Sequence, residues 1–345
     1  MGKNRVVYNI IDSVKGGCGK TTFAIMLSIV LNHYLTGSRS DNETSSCLID
    51  MDIQGSALLY LLYGKTFLDR PQKDFEFLND RVIAVGENGE TAKKFVNPFC
   101  FKNDSKSRFD VIFCDPRTES KKKFRSMSNQ NYSPEVLYST FRMGLANMLS
   151  SVKGQSPYKY SQIIFDMPPN ADGYSDAVYD ILLKKDYSVL KRGEACNLFL
   201  LHTLDRGQMQ ATLDYFSELA LLENFHKLKK IFFVFNDWCG YKNADEEDKA
   251  LFNEAVLFER TQIHSRLGMT SKMLKKIYFI GLAFNKEYYR KCTVTDGIRN
   301  VPMMDGILSP VKYITDMFED VKQEKVSDSA QDRLKRLKDV LGLDK

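Results

Sequence analysis

The sequence predicts a doubly wound α/β domain, a mostly parallel sheet with helices on both faces. Three observations lead there. Seven short apolar runs, at 6–11, 46–50, 109–114, 162–166, 196–201, 231–235 and 277–281, alternate with helical stretches, as repeated strand–helix–strand units do. The first run passes straight into a turn rich in glycine and lysine that opens an apolar helix. Later runs stop at aspartates, and in a parallel sheet the carboxyl ends of strands gather along one edge, where ligands bind.

Composition fits one such domain with insertions. The chain has 345 residues, 43% hydrophobic and 27% charged, which excludes disorder, collagen and fibre and leaves apolar surface for a large core. A net charge of +5 is too mild to mark a nucleic-acid binder by composition. Seven scattered cysteines without a C-x-x-C pair argue against a disulfide framework or a zinc or iron–sulfur site and for a reducing, cytoplasmic setting. No apolar leader follows Met1, and Val6 stands where a myristoylation signal needs Ser or Thr. The most apolar helical stretch, 23–35, is about 13 residues, short of the roughly 20 that cross a bilayer. The expectation is a chain without membrane span or lipid anchor.

Residues 6–11 read as a buried strand and Thr22 to Leu35 as a helix apolar on most of its circumference. The turn between them is Lys15-Gly16-Gly17-Cys18-Gly19-Lys20-Thr21-Thr22. Glycines let backbone N–H groups face phosphate oxygens, and the helix N-terminus adds partial positive charge. Lys20 can reach the β and γ phosphates, and Thr21 can hold Mg²⁺.

The common pattern G-x-x-x-x-G-K-[ST] is not met at its first position, where Val14 stands, while a second lysine, Lys15, has appeared. K-G-G-x-G-K-T-T is the deviant Walker A signature. Through it the sequence resembles the ParA/MinD family of nucleotide-dependent dimerising ATPases, P-loop NTPases of the SIMIBI class. The resemblance implies ATP and Mg²⁺ as ligands, nucleotide contacts along Lys15 to Thr22, Thr21 on the metal, and Lys20 on the phosphates. It also implies that Lys15 reaches across an ATP-dependent homodimer to the partner's nucleotide, where a cation supplied in trans neutralises charge on the transferred group.

The strand at 46–50 ends in Asp50-x-Asp52-Ile-Gln-Gly, similar to the family's D-x-D-P-Q-G segment with Ile53 in place of proline. The resemblance makes Asp52 the group that orients the attacking water and Asp50 a support of the Mg²⁺ shell. Two strands compete for the third element, one ending at Asp115-Pro116 and one at Asp166-Met-Pro168-Pro169. The D-x-P-P of the second matches the family's Walker B and switch II, so Asp166 is the expected Mg²⁺ carboxylate and Asp115 belongs to a neighbouring strand. Asn236, ending the run 231–235, stands where the family places an asparagine against adenine; a plain turn residue is the alternative.

The resemblance covers most of a single ATPase domain, 1–345. Insertions are expected near 64–108, 116–135 and 239–275, and a helical tail at about 310–345. No room precedes the loop for a helix-turn-helix domain, which argues against site-specific DNA reading. The stretch 93–125 holds ten Lys and Arg against four acidic residues, which reads either as a phosphate-backbone surface or as a solvated face. In the tail, Leu334, Leu337, Val340 and Leu341 at helical spacing among basic residues resemble a MinD-type membrane-targeting helix, but Asp332 and Asp339 dilute the charge and a helix packed on the body needs the same pattern.

Taken together, the resemblance implies a ParA-like partition ATPase. ATP closes a dimer, the dimer binds DNA without sequence preference, and a DNA-bound ParB-like adaptor stimulates hydrolysis. Plasmid or other mobile-element DNA is thereby segregated or positioned on the nucleoid of a bacterial cell. A MinD-like regulator cycling on membrane is the alternative. A ligase of dethiobiotin-synthetase type is disfavoured by Lys15 and the Asp50–Asp52 segment, and the nitrogenase-reductase branch by the lack of its bridging cysteine contexts.

Overall fold

The computed structural model describes residues 6–36, 46–53, 57–63, 77–78, 97–101, 104–115, 134–154, 160–169, 175–191, 193–238, 244–267, 271–283 and 318–320. In chain order the elements are β1 (Val7–Asp12), α1 (Lys20–Thr36), β2 (Ser46–Asp50), α2 (Ala57–Tyr63), β3 (Asn97–Phe101), β4 (Asp104–Ile112), α3 (Pro134–Gly154), β5 (Gln162–Asp166), α4 (Ser175–Leu183), β6 (Ala195–His202), α5 (Arg206–Leu219), β7 (Leu228–Trp238), α6 (Glu246–Leu267), α7 (Ser271–Leu274), β8 (Ile277–Ala283) and β9 (Phe318–Asp320). The sheet order is β3-β4-β2-β5-β1-β6-β7-β8-β9. The seven strands from β4 to β8 run parallel, and the edges β3 and β9 pair antiparallel to their neighbours.

Each of the seven expected runs is one of the parallel strands. Alternate side chains bury on opposite faces, as the period of two requires. Tyr8, Ile10, Phe165, Leu198, Leu200, Phe233 and Phe235 belong to the core under α3 to α6. Ile11, Ile164, Phe199, Leu201, Phe232 and Val234 belong to the core around α1 and α2. Phe199 and Phe232 stack across β6 and β7 with centroids 4.4 Å apart. From Phe23 to Asn32 every residue of α1 is buried, which accounts for its nearly uniform apolar character. Polar groups also set the central pairing: Asn9 Nδ2 donates to Gln162 Oε1 at 2.8 Å and Asn197 Nδ2 to Asn9 Oδ1 at 3.0 Å, tying β5, β1 and β6 together. A register slip would strand these amides without partners.

α5 begins at a side-chain cap: Asp205 Oδ1 accepts the Gln208 N–H at 2.8 Å. α6, inside the insertion expected at 239–275, is capped in the same way by Asp245, which accepts from Asp248 N at 2.8 Å. The insertion expected at 64–108 contains β3 and the start of β4. Within the region expected to hold the helical tail, Phe318–Asp320 pairs as a strand with the outer edge of β8. Residues 321–345, with the apolar tail positions, lie outside the described residues. So do the basic side chains of 93–125.

α6 is pinned to the sheet by a buried ion pair. His202 Nε2 lies 3.1 Å from Glu259 Oε1, with the side chains 1% and 0% exposed. Burial pulls the imidazole down, but the Glu259 carboxylate and the contact to Thr203 O outweigh it and leave the ring above its ordinary value. A raised folded-state value means the pair's stabilisation is complete below about pH 6.5 and is lost as pH rises through the folded value. Urea midpoints are therefore expected to fall as pH rises above about 6.5, and to fall less in Glu259→Gln. An equal pH slope in that variant would overturn the assignment.

Candidate functional site

The phosphate loop occupies the turn from β1 to α1 at the carboxyl edge of the sheet. Its shape depends on glycine at two places, with φ +79° at Gly17 and +87° at Gly19, values that cost an L-residue roughly 1–2 kcal/mol. At Gly19 space is also lacking, because an added Cβ would run into Nδ2 of Asn236. At Gly17 it would meet nothing within 4 Å. Gly19→Ala is therefore expected to lower the urea midpoint more than Gly17→Ala, and to weaken nucleotide binding more. Equal effects would mean that Asn236 can move aside freely.

Asn236 closes on the loop directly: its Nδ2 donates to Cys18 O at 2.6 Å, while its Oδ1 is buried without a hydrogen-bond partner among the described residues. Below the loop, Lys20 is only 6% exposed. Its Nζ donates to Ser13 Oγ at 2.6 Å, and Ser13 Oγ donates to Lys15 O at 2.8 Å. Lys15, Gly16 and Gly17 are exposed at the mouth. Pro169, from the Asp166 turn, packs over the loop, 3.5 Å from where a Cβ on Gly16 would stand.

Asp50 and Asp166 end adjacent strands in register with each other. Backbone bonds lock these ends, with Met51 N donating to Asp166 O and Met167 N to Ile11 O, both at 3.0 Å. Asp166 is 2% exposed, and burial pushes its carboxyl up to about 7; the Thr21 hydrogen bond and the Lys20 charge hold it back, and the charges of Asp52 and Asp12 add to the rise. Its Oδ1 has no hydrogen-bond partner among the described residues. Asp50 is 0% exposed; burial first, then the Asp166 charge, holds it well above the carboxylate range. Its oxygens accept Asp52 N at 3.0 Å and Cys114 N at 3.5 Å, so it holds the turn that carries Asp52. Asp52 is half-buried. Asp115 follows β4, and β2 separates that strand from β5.

Crowded carboxylates with an orphaned oxygen beside a threonine hydroxyl suit a hard cation. No three His, Cys, Asp or Glu side chains among the described residues form a self-contained metal cage. A Mg²⁺ held by one or two side chains and completed by phosphate oxygens and water fits that donor set. Thr21 and Asp166 are the residues that could hold it.

Sequence reasoning missed Asp12. This last residue of β1 is 3% exposed, and its carboxylate accepts Tyr179 Oη at 2.6 Å, Tyr215 Oη at 2.8 Å and Ser13 N at 2.7 Å. Burial raises it, and these three bonds and Lys20 oppose the rise. An aspartate at a strand end one turn before the loop was the available signal; its tyrosine partners lie 167 and 203 residues away.

No family model matches the chain, and no curated protein matches its sequence. Solved structures do match its shape. McdA of Cyanothece in complex with ATP superposes with a TM-score of 0.53 at 13% identity, over 100% of this chain and 99% of that one. A putative plasmid partition protein of Borrelia burgdorferi B31 bound to AMPPNP superposes with a TM-score of 0.50 at 16% identity, over 98% of each chain. With its central parallel sheet and the loop where β1 meets α1, the chain has the P-loop fold of the ParA/MinD-type ATPases.

Proposed function

We propose that the chain is an ATP-dependent dimerising ATPase that binds DNA without sequence preference and positions plasmid or other mobile-element DNA, with hydrolysis stimulated by a DNA-bound ParB-like adaptor. The observation that carries it is the loop itself: a buried Lys20 over Thr21 and Asp166, with a second lysine, Lys15, exposed at the mouth. That two solved structures of the same fold hold ATP and AMPPNP supports the nucleotide class. Lys20 and the loop N–H groups bind the phosphates, and Asn236 Oδ1 is offered to the adenine amino group. Thr21 and Asp166 would hold Mg²⁺, which would supply charge neutralisation to the bound phosphates. Asp52 accepts a proton from and orients the attacking water. Lys15 is exposed and so free to cross to a second copy, where its charge stabilises the transferred phosphoryl group.

The test is a gel shift of the full chain on random-sequence duplex DNA at two salt concentrations, with no nucleotide, ADP or a slowly hydrolysed ATP analogue. Salt-sensitive binding restricted to the ATP state is expected. Lys15→Ala should bind ATP nearly as well yet lose dimerisation, DNA binding and turnover; a fully active variant would remove chemistry in trans. Absence of DNA binding in every state would overturn the DNA-positioning reading, and sedimentation with anionic vesicles would then test a membrane partner.

A further inference from the structure

Asp12 ties two helices to the residue that carries both loop lysines. Its Oδ2 accepts Tyr179 Oη on α4 and Tyr215 Oη on α5, and its Oδ1 accepts the N–H of Ser13. Ser13 Oγ in turn holds Lys20 Nζ and the carbonyl of Lys15. Two phenols solvate a buried anion without neutralising it. Its remaining stabilisers are the Ser13 N–H and the charge of Lys20.

We propose that Asp12, Tyr179 and Tyr215 form a positioning unit for Lys20: the phenols satisfy the buried Asp12 anion, so that the Lys20 ammonium is free to leave Ser13 for a phosphate. The inference rests on the nucleotide-binding reading above. Without the hydroxyls, the desolvated carboxylate leans on Lys20 and holds it back from phosphate. Without the charge as well, that hold disappears. Two changes that each remove a native group are thus expected to compensate, which loss of packing alone does not produce.

The experiment titrates the full chain with a fluorescent mant-ATP in Mg²⁺ and measures turnover at saturating ATP alongside. The double variant Tyr179→Phe/Tyr215→Phe keeps both rings. Its dissociation constant is expected to rise about fivefold or more, the scale of lost hydrogen bonds to a charged group. Turnover at saturation should stay within about twofold, as for a change confined to binding. Adding Asp12→Asn is expected to return the dissociation constant to within about twofold of the unaltered chain, the coupling expected of groups in contact. Tyr138→Phe is the control, since Tyr138 Oη donates to Asp180 Oδ2 at 2.7 Å on the same α4 away from the loop; its affinity should not change.

A phenylalanine pair that binds like Tyr138→Phe, or weakened binding that Asp12→Asn fails to restore, overturns the inference. If the pair does not fold by circular dichroism, Tyr215→Phe alone carries the same comparison, with and without Asp12→Asn. An unaltered chain that binds no mant-ATP sinks the nucleotide reading and this inference with it, whereas normal binding without a shift in the variants sinks the inference alone.

Discussion

Lys20→Ala is expected to weaken Mg–ATP binding by at least about 100-fold, which in calorimetry is no detectable heat at concentrations that saturate the unaltered chain. The ammonium is the loop's one buried cation among the described residues. Hydrogen bonds from a charged donor contribute roughly 1.5–3 kcal/mol each, and in the proposed site Lys20 would serve two phosphates. Alanine also withdraws the positive charge that opposes the rise of Asp12 and Asp166, so both carboxylates would lose that counter-charge. Circular dichroism must accompany the titration, because the same loss weakens the fold. Retained affinity in a folded variant would move the phosphate site away from residues 15–22.

Asp52→Ala should separate binding from turnover. ATP affinity is expected to persist while hydrolysis falls about 10²–10⁴-fold, the contribution of a positioned proton acceptor, leaving an ATP-bound dimer visible by size-exclusion chromatography. The geometry explains why Asp52 rather than its neighbour is chosen. Asp50 is fully buried and both its oxygens face backbone N–H groups, whereas Asp52 is half-buried at the turn that follows. Unchanged turnover would take the water-orienting role from Asp52.

Much of this site was legible before folding, because its parts are short contiguous strings. Lys15 to Thr22 must turn the chain from strand to helix within eight residues, so glycine spacing is dictated locally, and two of the glycines adopt positive φ. The seven parallel strands were legible for a similar reason: strands buried on both faces are written as unbroken apolar runs. The edge strands were not. Asn97–Phe101 opens on Asn and Pro98 at the sheet's edge, and Phe318–Asp320 has three residues and acidic side chains, so neither leaves a periodic trace.

Spacing along the chain thus marked the loop, the strand segments and which aspartates end them, since each is written in residues a few positions apart. Folding decided the company those residues keep. Only when β1 is flanked by β5 and β6 do Tyr179 and Tyr215 converge on Asp12 from 167 and 203 residues away, Asn236 close over Cys18, and Glu259 reach His202. Nothing in composition encodes such pairings, because a buried charge selects its partners by distance in space, and burial itself, which raises Asp12, Asp50 and Asp166 together, exists only once the helices cover the sheet.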